Sequence, residues 1–295
     1  MITNSEVYEN LRKNGLEPEL VQALVDLAIS EDLMGGTDVT SLATIPETQI
    51  SELDLVTRKS GVIAGIDIAT LVFLSVSEKK IEVEQCIKDS THVDSNTCLL
   101  TAKGSTIDLL TAERTALNFL GHLSGIATTT NLWVKEISTT KAKIRDTRKT
   151  TPGLRLLEKY AVRAGGGTNH RMSLNVQALI KDNHIIASGS IKNAIEKVKD
   201  KFPELGFEIE VDSLDQLKDA LTANAQLILL DNFDLEDLKK AVSLVDKKAL
   251  LEASGGITLE NARKIAETGV DFLAVGALTH SAPVLDIGGD LRTVR

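Results

Sequence analysis

Apolar side chains recur along this chain with two different periods, and each period predicts its own kind of element. Residues 18–33 place them three or four positions apart, which predicts an amphipathic helix ended by Gly35-Gly36. The polar residues 38–41 predict a connection without regular structure. Shorter apolar runs predict a small α+β unit, with strands near 53–57, 81–87 and 97–101 and a helix near 66–76. This unit carries no recognisable chemistry, so we interpret it as a scaffold or dimerisation domain.

A longer helical pattern covers residues 107–137. Its apolar face consists mainly of leucine, and Gly121 and Gly125 predict a bend or a close approach of another segment. Arg114 follows Glu113 directly, so these side chains do not face each other as an i,i+4 ion pair would. The local sequence therefore favours a structural role for Arg114.

From residue 140 onward, short apolar runs alternate with helical patterns. Each run ends in polar residues or glycine, and the runs cover residues 142–144, 178–180, 207–209, 227–230, 249–251 and 272–275. The helical patterns lie at 191–199, 214–221, 235–245 and 259–267. This alternation is typical of parallel βαβ units, and polar strand ends predict an α/β barrel with its site at the carboxyl ends of the strands. A further strand near 168–172 would bring the count to about seven, one short of a complete barrel.

Basic residues concentrate in one segment, residues 145–181. It holds eight basic and two acidic residues, a balance of +6, whereas the whole chain has a formal charge of −9 and the remainder therefore −15. Such a balance argues against a polyanion such as DNA and favours a small, highly charged anion. Arg148, Lys149, Arg171 and Lys181 offer two planar forks and two point charges for carboxylate or phosphate. A solvated basic face is the plainer alternative, but we interpret the spacing of the cations as unlike that of an exposed helix face.

Two acidic residues and two glycine loops end the later strands. Glu210 and Asp231 are expected to project into the same mouth, either to balance the cations or to hold hydroxyl groups or Mg²⁺. Ser254-Gly255-Gly256 and Gly276-Ala277 follow the last two apolar runs. In βα barrels these loops and the helix N-terminus beside them often bind phosphate, so we predict a phosphate site there.

Composition sets the remaining limits. The 295 residues are 42% hydrophobic and 25% charged, enough for one large core or two domains. No apolar run approaches the roughly 20 residues that span a bilayer, and no signal peptide is evident. Cys86 and Cys98 are the only cysteines and lack metal-ligand spacing. We expect a cytoplasmic protein with no membrane or nucleic-acid partner.

Seven motifs, in this order, carry a family resemblance. They are TAERTALNFLGHLSGIAT, DTRKTTPGLRLLEKYAVRAGGGTNHRM, LIKDNHI, IEVDS, LLDNF, LEASGGIT and TGVDFLAVGALTHSAP. The chain resembles the quinolinate phosphoribosyltransferase family from ISED near residue 30 to Asp286. The resemblance implies an α/β fold in which an N-terminal open α/β sandwich, residues 1–113 and the tail of about 283–295, accompanies an incomplete, about seven-stranded α/β barrel over 114–282.

The resemblance also implies a reaction in de novo NAD biosynthesis. Quinolinate and phosphoribosyl pyrophosphate would give nicotinate mononucleotide, pyrophosphate and carbon dioxide. The implied cofactor is Mg²⁺, bound mainly through phosphoribosyl pyrophosphate near Glu210 and Asp231. The implied assembly is a homodimer, with a hexamer as a further option.

The resemblance assigns roles residue by residue. Around quinolinate it places Arg148, His170, Arg171 and Lys181, with Lys149 near the reacting groups and Arg114 supplied by the neighbouring subunit. Glu210 and Asp231 would hold the ribose hydroxyls and the metal-bound substrate. The 5′-phosphate region would consist of Ser254, Gly255, Gly256, Gly276, Ala277 and His280. The catalytic residues would be Lys149, Lys181, Glu210 and Asp231.

One turn departs from a common bacterial form of the family. That form has Gly-Leu-x-Asp after the equivalent of His170-Arg171-Met172, whereas this chain has Ser173-Leu174-Asn175-Val176. The conformation of this turn is therefore open, although every cation assigned to the substrate is present.

Three alternatives fit parts of the pattern. A molybdenum-transport-associated paralogue shares it overall but is expected to depart around LIKDNH, which is intact here. A Schiff-base lyase would use a strand-end lysine such as Lys181. A binding or regulatory protein without activity would not need Glu210 and Asp231.

Overall fold

The structure is a computed structural model that describes residues 2–76 and 81–294; the predicted domain ranges also include residues 1, 77–80 and 295, which lie outside it. In chain order the elements begin with α1 (Asn4–Lys13), α2 (Pro18–Leu33), α3 (Val39–Thr44), β1 (Ile50–Thr57), β2 (Gly61–Val62), α4 (Ile66–Ser75), β3 (Glu82–Gln85), β4 (His92–Val93), β5 (Cys98–Ser105) and α5 (Thr106–Glu136). They continue with β6 (Lys143–Arg145), α6 (Arg155–Ala164), β7 (Ala178–Ile180), α7 (Asp182–Ser188), α8 (Ile191–Lys201), β8 (Phe207–Val211), α9 (Leu214–Thr222), β9 (Leu227–Asp231), α10 (Leu235–Val245), β10 (Leu250–Ser254), α11 (Leu259–Glu267), β11 (Phe272–Ala274), α12 (Ala277–His280) and β12 (Ile287–Thr293).

The first compact unit is built around an antiparallel sheet. It contains the residues up to Asn131, the segment Leu156–Gly166 and the residues from Ser281 onward. The strand order is β12-β1-β5-β3, and buried residues alternate along β1, as in a strand with one covered face. The last strand, β12, pairs with β1 from Ser51↔Thr293 to Thr57↔Ile287. We predicted a boundary after residue 113, whereas the packing keeps α5 in this unit up to Asn131.

The tail packs closely on α5 before it joins the sheet. A Cβ atom on Gly125 would lie 2.1 Å from the carbonyl oxygen of Pro283, and one on Gly121 would lie 2.9 Å from Val284 Cγ1. Only glycine allows this approach. The close contact predicted at these two glycines is confirmed.

Two predictions about helices were wrong. The polar residues 38–41 belong to α3, because the Asp38 carboxylate accepts hydrogen bonds from the backbone N–H groups of Thr40 and Ser41 and so starts a helix. Arg155 and Lys159 lie four positions apart on α6, which is helix-face spacing, contrary to our interpretation of the basic segment. The face is not a solvated one, however, because the Lys159 side chain is fully buried.

The second unit is a parallel α/β structure. It contains Leu132–Arg155 and Gly167–His280, and its six strands follow the order β6-β11-β10-β9-β8-β7. Helices α8 to α11 alternate with these strands. Thr168 forms a parallel bridge with Arg145 beside β6, so the predicted seventh strand is present as a single bridge. The predicted α/β fold with its separate N-terminal sheet is confirmed. Among the described helices, none is long and apolar enough to cross a membrane.

Candidate active site

A cavity of about 460 Å³ opens at the carboxyl ends of the parallel strands. Its lining contains eight residues that the sequence singled out: Arg148, Lys149, His170, Arg171, Lys181, Glu210, Asp231 and Ser254. The other lining residues are Thr147, Leu179, Leu229 and Ala274. The parallel register explains the gathering, because Asp231 is aligned with Ser254 and Glu210 with Leu229. Side chains two positions apart on a strand share a face, so these residues point into one space.

Two arginines of the cavity have unused donors. The Nε atoms of Arg148 and Arg171 are buried and have no hydrogen-bond partner. Burial, and next the proximity of Arg148, lower the pKa of Arg171. A terminal nitrogen of Arg171 donates a 2.8 Å hydrogen bond to the carbonyl oxygen of Gln177, which fixes the guanidinium in place. Two neighbouring guanidinium groups with buried, unsatisfied donors are suited to an anion with more than one charge.

The acidic side of the cavity is formed by two neighbouring strands. Glu210 of β8 lies 3.0 Å from the Lys181 ammonium, an ion pair at the cavity wall. Asp231 ends β9 and accepts a 2.8 Å hydrogen bond from the Asn232 side chain. Both carboxylates keep further oxygen lone pairs for hydroxyl groups or a hard cation. The expectation that Glu210 and Asp231 share one mouth is confirmed.

Lys149 is held between two loops. Its carbonyl oxygen accepts a 2.8 Å hydrogen bond from the Thr279 hydroxyl. A Cβ atom on Gly276 would lie 3.0 Å from Lys149 Cδ and 3.3 Å from His280 Nε2. The glycine therefore lets the Lys149 stem and the His280 ring approach the loop after β11.

The loop after β10 contains the left-handed backbone conformation that its glycines allow. Gly255 has φ +87°, and a Cβ atom there would lie 2.1 Å from Asn232 Oδ1. The Asn232 N–H in turn donates to the Ser254 carbonyl oxygen at 2.9 Å. The loop leads into α11, whose first residues are capped by Thr258 and Asn261. A left-handed glycine loop before a helix N-terminus is a common phosphate-binding arrangement.

A buried charged layer lies directly below the cavity. It consists of Arg145, His170, Glu208 and Glu252, and the two glutamates are fully buried. Arg145 contacts the Glu252 carboxylate and lies 4.0 Å from Glu208. His170 Nε2 lies 2.9 Å from Glu208. Glu208 and Glu252 precede Glu210 and Ser254 by two positions, so they occupy the same inward face one layer deeper.

Burial dominates the electrostatics of this layer. It raises the pKa of Glu208, and burial together with the neighbouring Glu208 raises the pKa of Glu252 to about 8. Two adjacent carboxyls in a low-dielectric interior cannot both ionise easily, which is the cause of the raised pKa of each. His170, Glu208 and Glu252 are also the group of described residues whose atoms lie near enough to hold a metal ion.

Comparison with known proteins identifies the family of this chain. The N-terminal domain model of quinolinate phosphoribosyl transferase matches residues 38–124, and the C-terminal domain model matches residues 126–290. A nicotinate-nucleotide pyrophosphorylase (carboxylating) of Mycobacterium leprae is 52% identical over 268 residues, covering 90% of this chain and 94% of that protein. The chain belongs to the quinolinate phosphoribosyl transferase family.

Solved structures of the family agree with this assignment. NadC from Streptococcus pyogenes matches with a TM-score of 0.91 at 36% identity, over 95% of this chain and 99% of that one. A nicotinate-nucleotide pyrophosphorylase from Francisella tularensis matches with a TM-score of 0.88 at 40% identity, over 93% and 96% of the two chains. The two-part α/β architecture is therefore that of the family.

Some predicted site residues lie outside the cavity lining. Gly255, Gly256 and Gly276 belong to the two loops beside it, and Ala277 and His280 are the first and last residues of α12. Arg114 is exposed on α5 in the first unit. The turn that departs from the common bacterial form is closed by a 2.5 Å hydrogen bond between the Ser173 hydroxyl and Asn175 Oδ1. Arg171 bonds to Gln177 beyond this turn, so the altered residues do not displace it from the cavity.

Sequence reasoning missed the buried layer. We considered only the residue at the end of each strand as a candidate site residue. Glu208 was therefore passed over, although it lies two positions before Glu210 and so on the same face of β8. We counted Arg145 only as part of a basic segment. Asn232, with φ +56°, was also passed over, and its place directly after Asp231 was the available signal.

Proposed function

We propose that this protein catalyses phosphoribosyl transfer from phosphoribosyl pyrophosphate to quinolinate, with decarboxylation to nicotinate mononucleotide. The observation that carries the proposal is the cavity itself, where two guanidinium groups with unsatisfied donors face the carboxylates of Glu210 and Asp231. Quinolinate, a dianion, needs the cationic side of the cavity. The ribose hydroxyls of phosphoribosyl pyrophosphate need the carboxylate side. Membership of the family and the names of its relatives support the same reaction.

The basic side of the cavity is assigned to quinolinate. Its two carboxylates take Arg148 and Arg171, whose buried Nε donors would otherwise remain unsatisfied. Each charge-assisted hydrogen bond of this kind contributes about 1.5–3 kcal/mol. Lys149 and Lys181 add point charges at the same wall, and His170 also lines the cavity.

The acidic side is assigned to phosphoribosyl pyrophosphate. Glu210 and Asp231 hold the ribose hydroxyls, and Ser254, Gly255, Gly256, Gly276, Ala277 and His280 surround the 5′-phosphate. Glu210 and Asp231 would offer the oxygen ligands that a hard cation prefers to a Mg²⁺ ion bound through the pyrophosphate group. When bound, the metal neutralises the charge that develops on the departing pyrophosphate.

The transfer places different demands on the two sides. The bond between ribose C1 and pyrophosphate breaks, and the positive charge at C1 is stabilised by the nearby carboxylates. The quinolinate nitrogen then bonds to C1 and becomes cationic. This cationic ring accepts the electron pair left when the adjacent carboxylate departs as carbon dioxide, and the carbon takes up a proton. In this proposal Lys149 would lie near the reacting groups.

Arg114 and the assembly complete the proposal. Arg114 is exposed on α5 and would enter the cavity of a neighbouring subunit in a homodimer, or in a hexamer made of such subunits. The proposal includes a cytoplasmic location, which agrees with the similarity to a bacterial relative. A Schiff-base lyase is less well supported, because the Lys181 side chain is held in an ion pair with Glu210.

The proposal is tested by turnover of quinolinate labelled in the carboxylate that leaves. We expect labelled carbon dioxide and nicotinate mononucleotide in equal amounts, only when phosphoribosyl pyrophosphate and Mg²⁺ are both present. Nucleotide formation without carbon dioxide, or no product at all, would contradict it. Borohydride trapping of Lys181 with a carbonyl substrate would support the lyase instead.

A further inference from the structure

The two cysteines of the chain lie beside each other in the first unit. Cys86 follows β3 and Cys98 begins β5, and their Sγ atoms are 3.8 Å apart, with no atom between them. The sulfur atoms of a disulfide are about 2.05 Å apart, so these two would need to approach each other by about 1.8 Å. Cys86 is exposed and Cys98 is half-buried. A reagent from solvent therefore reaches the pair through Cys86.

The pairing of β3 with β5 holds the two thiols together. The strands are antiparallel, and at their end the backbone N–H groups of Cys86 and Ile87 both donate to the Leu99 carbonyl oxygen, at 2.9 and 3.2 Å. Two neighbouring donors on one acceptor form a β-bulge, which bends its strand and changes the direction of its side chains. The bulge here leaves Cys86 Sγ against Cys98 Sγ. The contact is therefore built into the sheet.

The chain between the two cysteines is ordered by contacts within the first unit. The Asp89 carboxylate accepts hydrogen bonds from the backbone N–H groups of Gly65 and Ile66, at 2.8 and 3.1 Å, where α4 begins. Ser90 and Asn96 adopt the left-handed backbone conformation, with φ +68° and +62°. This conformation costs free energy in residues other than glycine. A covalent link between the ends of the segment would remove other conformations from reach.

A disulfide suits this pair better than a metal ion does. Sites that bind a metal through thiolates usually supply three or four protein ligands. Within residues 2–76 and 81–294, no group of three cysteine, histidine or carboxylate ligands close enough to share an ion includes Cys86 or Cys98. The pair has what a disulfide needs, two thiols in contact, and lacks the further ligands of a metal site.

We propose that Cys86 and Cys98 form a modification site, at which exchange with a small-molecule disulfide joins the two sulfurs and closes the segment 87–97 into a covalent ring. The Cys86 thiolate first attacks one sulfur of the small disulfide, whose S–S bond breaks, and one small thiol leaves. The Cys98 thiolate then attacks the Cys86 sulfur, and the second small thiol leaves. Two protein thiols are oxidised, one small disulfide is reduced to two thiols, and the protein's two thiol protons pass to the leaving groups.

The environments of the two sulfurs set this order of attack. Cys86 is exposed, and the small disulfide can reach it without any change in the sheet. Burial raises the pKa of the Cys98 thiol to about 11, so its thiolate is scarce at neutral pH. Cys98 therefore reacts second, with a sulfur that is already held against it.

Mass spectrometry of the full chain under denaturing, non-reducing conditions tests the bond. The protein is first reduced and then treated, while folded, with oxidised glutathione. We expect the parent chain to lose two hydrogen atoms and to carry no glutathione, and dithiothreitol should restore its reduced mass. Cys98→Ser should stop with one glutathione attached, because it lacks the thiol for the second step. Cys86→Ser should react more slowly than Cys98→Ser, since its remaining thiol is half-buried.

Three results would overturn the proposed bond. A parent chain that keeps one glutathione, as Cys98→Ser does, would show that the two thiols do not join. A disulfide between two chains on non-reducing electrophoresis would show that the thiols pair across subunits. Folded protein in which neither thiol reacts would show that the pair is not a modification site.

Amide hydrogen exchange tests the covalent ring. In the oxidised parent, exchange across residues 87–97 should slow by about 100-fold relative to the reduced parent, the effect that loop-closure entropy gives for a ring of this length. Strand β9 in the second unit is the internal control, and its exchange should not change. Equal exchange of the segment in both forms would overturn the ring's effect. None of these measurements depends on turnover, so their failure is distinct from failure of the proposed reaction.

Discussion

The Lys181 ammonium lies 3.0 Å from a Glu210 carboxylate oxygen, and this ion pair joins the two sides of the cavity. Lys181 belongs to the wall assigned to quinolinate, and Glu210 to the wall assigned to phosphoribosyl pyrophosphate. A change at one residue should have separable effects on the two substrates.

Glu210→Ala and Asp231→Ala should impair the use of phosphoribosyl pyrophosphate while quinolinate still binds. We expect kcat/KM for phosphoribosyl pyrophosphate to fall by about 100- to 1,000-fold, the scale for removing one preorganised charged group. Titration calorimetry with quinolinate alone should give a Kd close to the parent value, since the arginines are untouched. Asp212→Ala is the control, because Asp212 is exposed and outside the cavity lining. Loss of quinolinate binding in either variant would contradict this division.

Gly255→Ala should damage the phosphate loop specifically. The added Cβ would lie 2.1 Å from Asn232 Oδ1, in addition to the strain of a φ of +87°. Gly189→Ala is a matched control, because Gly189 has φ +89° and a Cβ there would meet only Asn193 Nδ2 at 3.9 Å. We expect both variants to be less stable in chemical denaturation, and Gly255→Ala more so, because only it adds a clash with Asn232 to the strain of a positive φ. Only Gly255→Ala should raise the KM for phosphoribosyl pyrophosphate. An equal rise in both variants would show that the effect comes from general backbone strain and not from the phosphate loop.

Glu252→Gln should change the pH dependence of stability. Burial raises the pKa of Glu252 from 4.5 to about 8 beside Glu208, Arg145 and His170. Between these values the folded state keeps the proton and the unfolded state loses it, so this group lowers the free energy of unfolding as pH rises, by at most about 1.4 kcal/mol per pH unit. Glutamine does not titrate, so the variant should gain stability relative to the parent as pH rises from 4.5 to 8. Denaturation curves whose difference is constant across this range would contradict the raised pKa.

Much of the cavity lining was predictable from the sequence, because each parallel strand appears as an apolar run that ends in a polar residue. An apolar run precedes each of Lys181, Glu210 and Asp231. Parallel pairing of the strands brings such positions together, independently of the conformation of the loops. Glu208 was not predictable in the same way, since a charged residue within a strand usually marks a solvated face. The folded structure makes that position interior, with Arg145 within 4.0 Å of the Glu208 carboxylate. The further strand near Thr168 was harder to predict, because a segment that forms a single bridge has hardly any apolar periodicity to detect.

Arg114 tests the proposed dimer. Arg114→Ala should fold normally yet lose about 100- to 1,000-fold in rate, as expected when one preorganised charged group is removed. Mixed with Lys181→Ala, it should regain activity, because half of randomly formed dimers are heterodimers with one intact site. Recovery should then approach about a quarter of the parent activity. Mass spectrometry of differently tagged chains must first show subunit exchange. Exchange without recovery would place the role of Arg114 within its own subunit.

The central claim is that this cavity is built for a pyridine with two adjacent carboxylates. Its most direct test compares kcat/KM for quinolinate and for nicotinate at saturating phosphoribosyl pyrophosphate and Mg²⁺. Nicotinate leaves one half-buried guanidinium without a carboxylate partner, which costs about 1.5–3 kcal/mol for each charge-assisted hydrogen bond that cannot form. We predict at least about a 100-fold preference for quinolinate, since its second carboxylate accepts more than one such hydrogen bond. Comparable turnover of the two substrates would contradict the account.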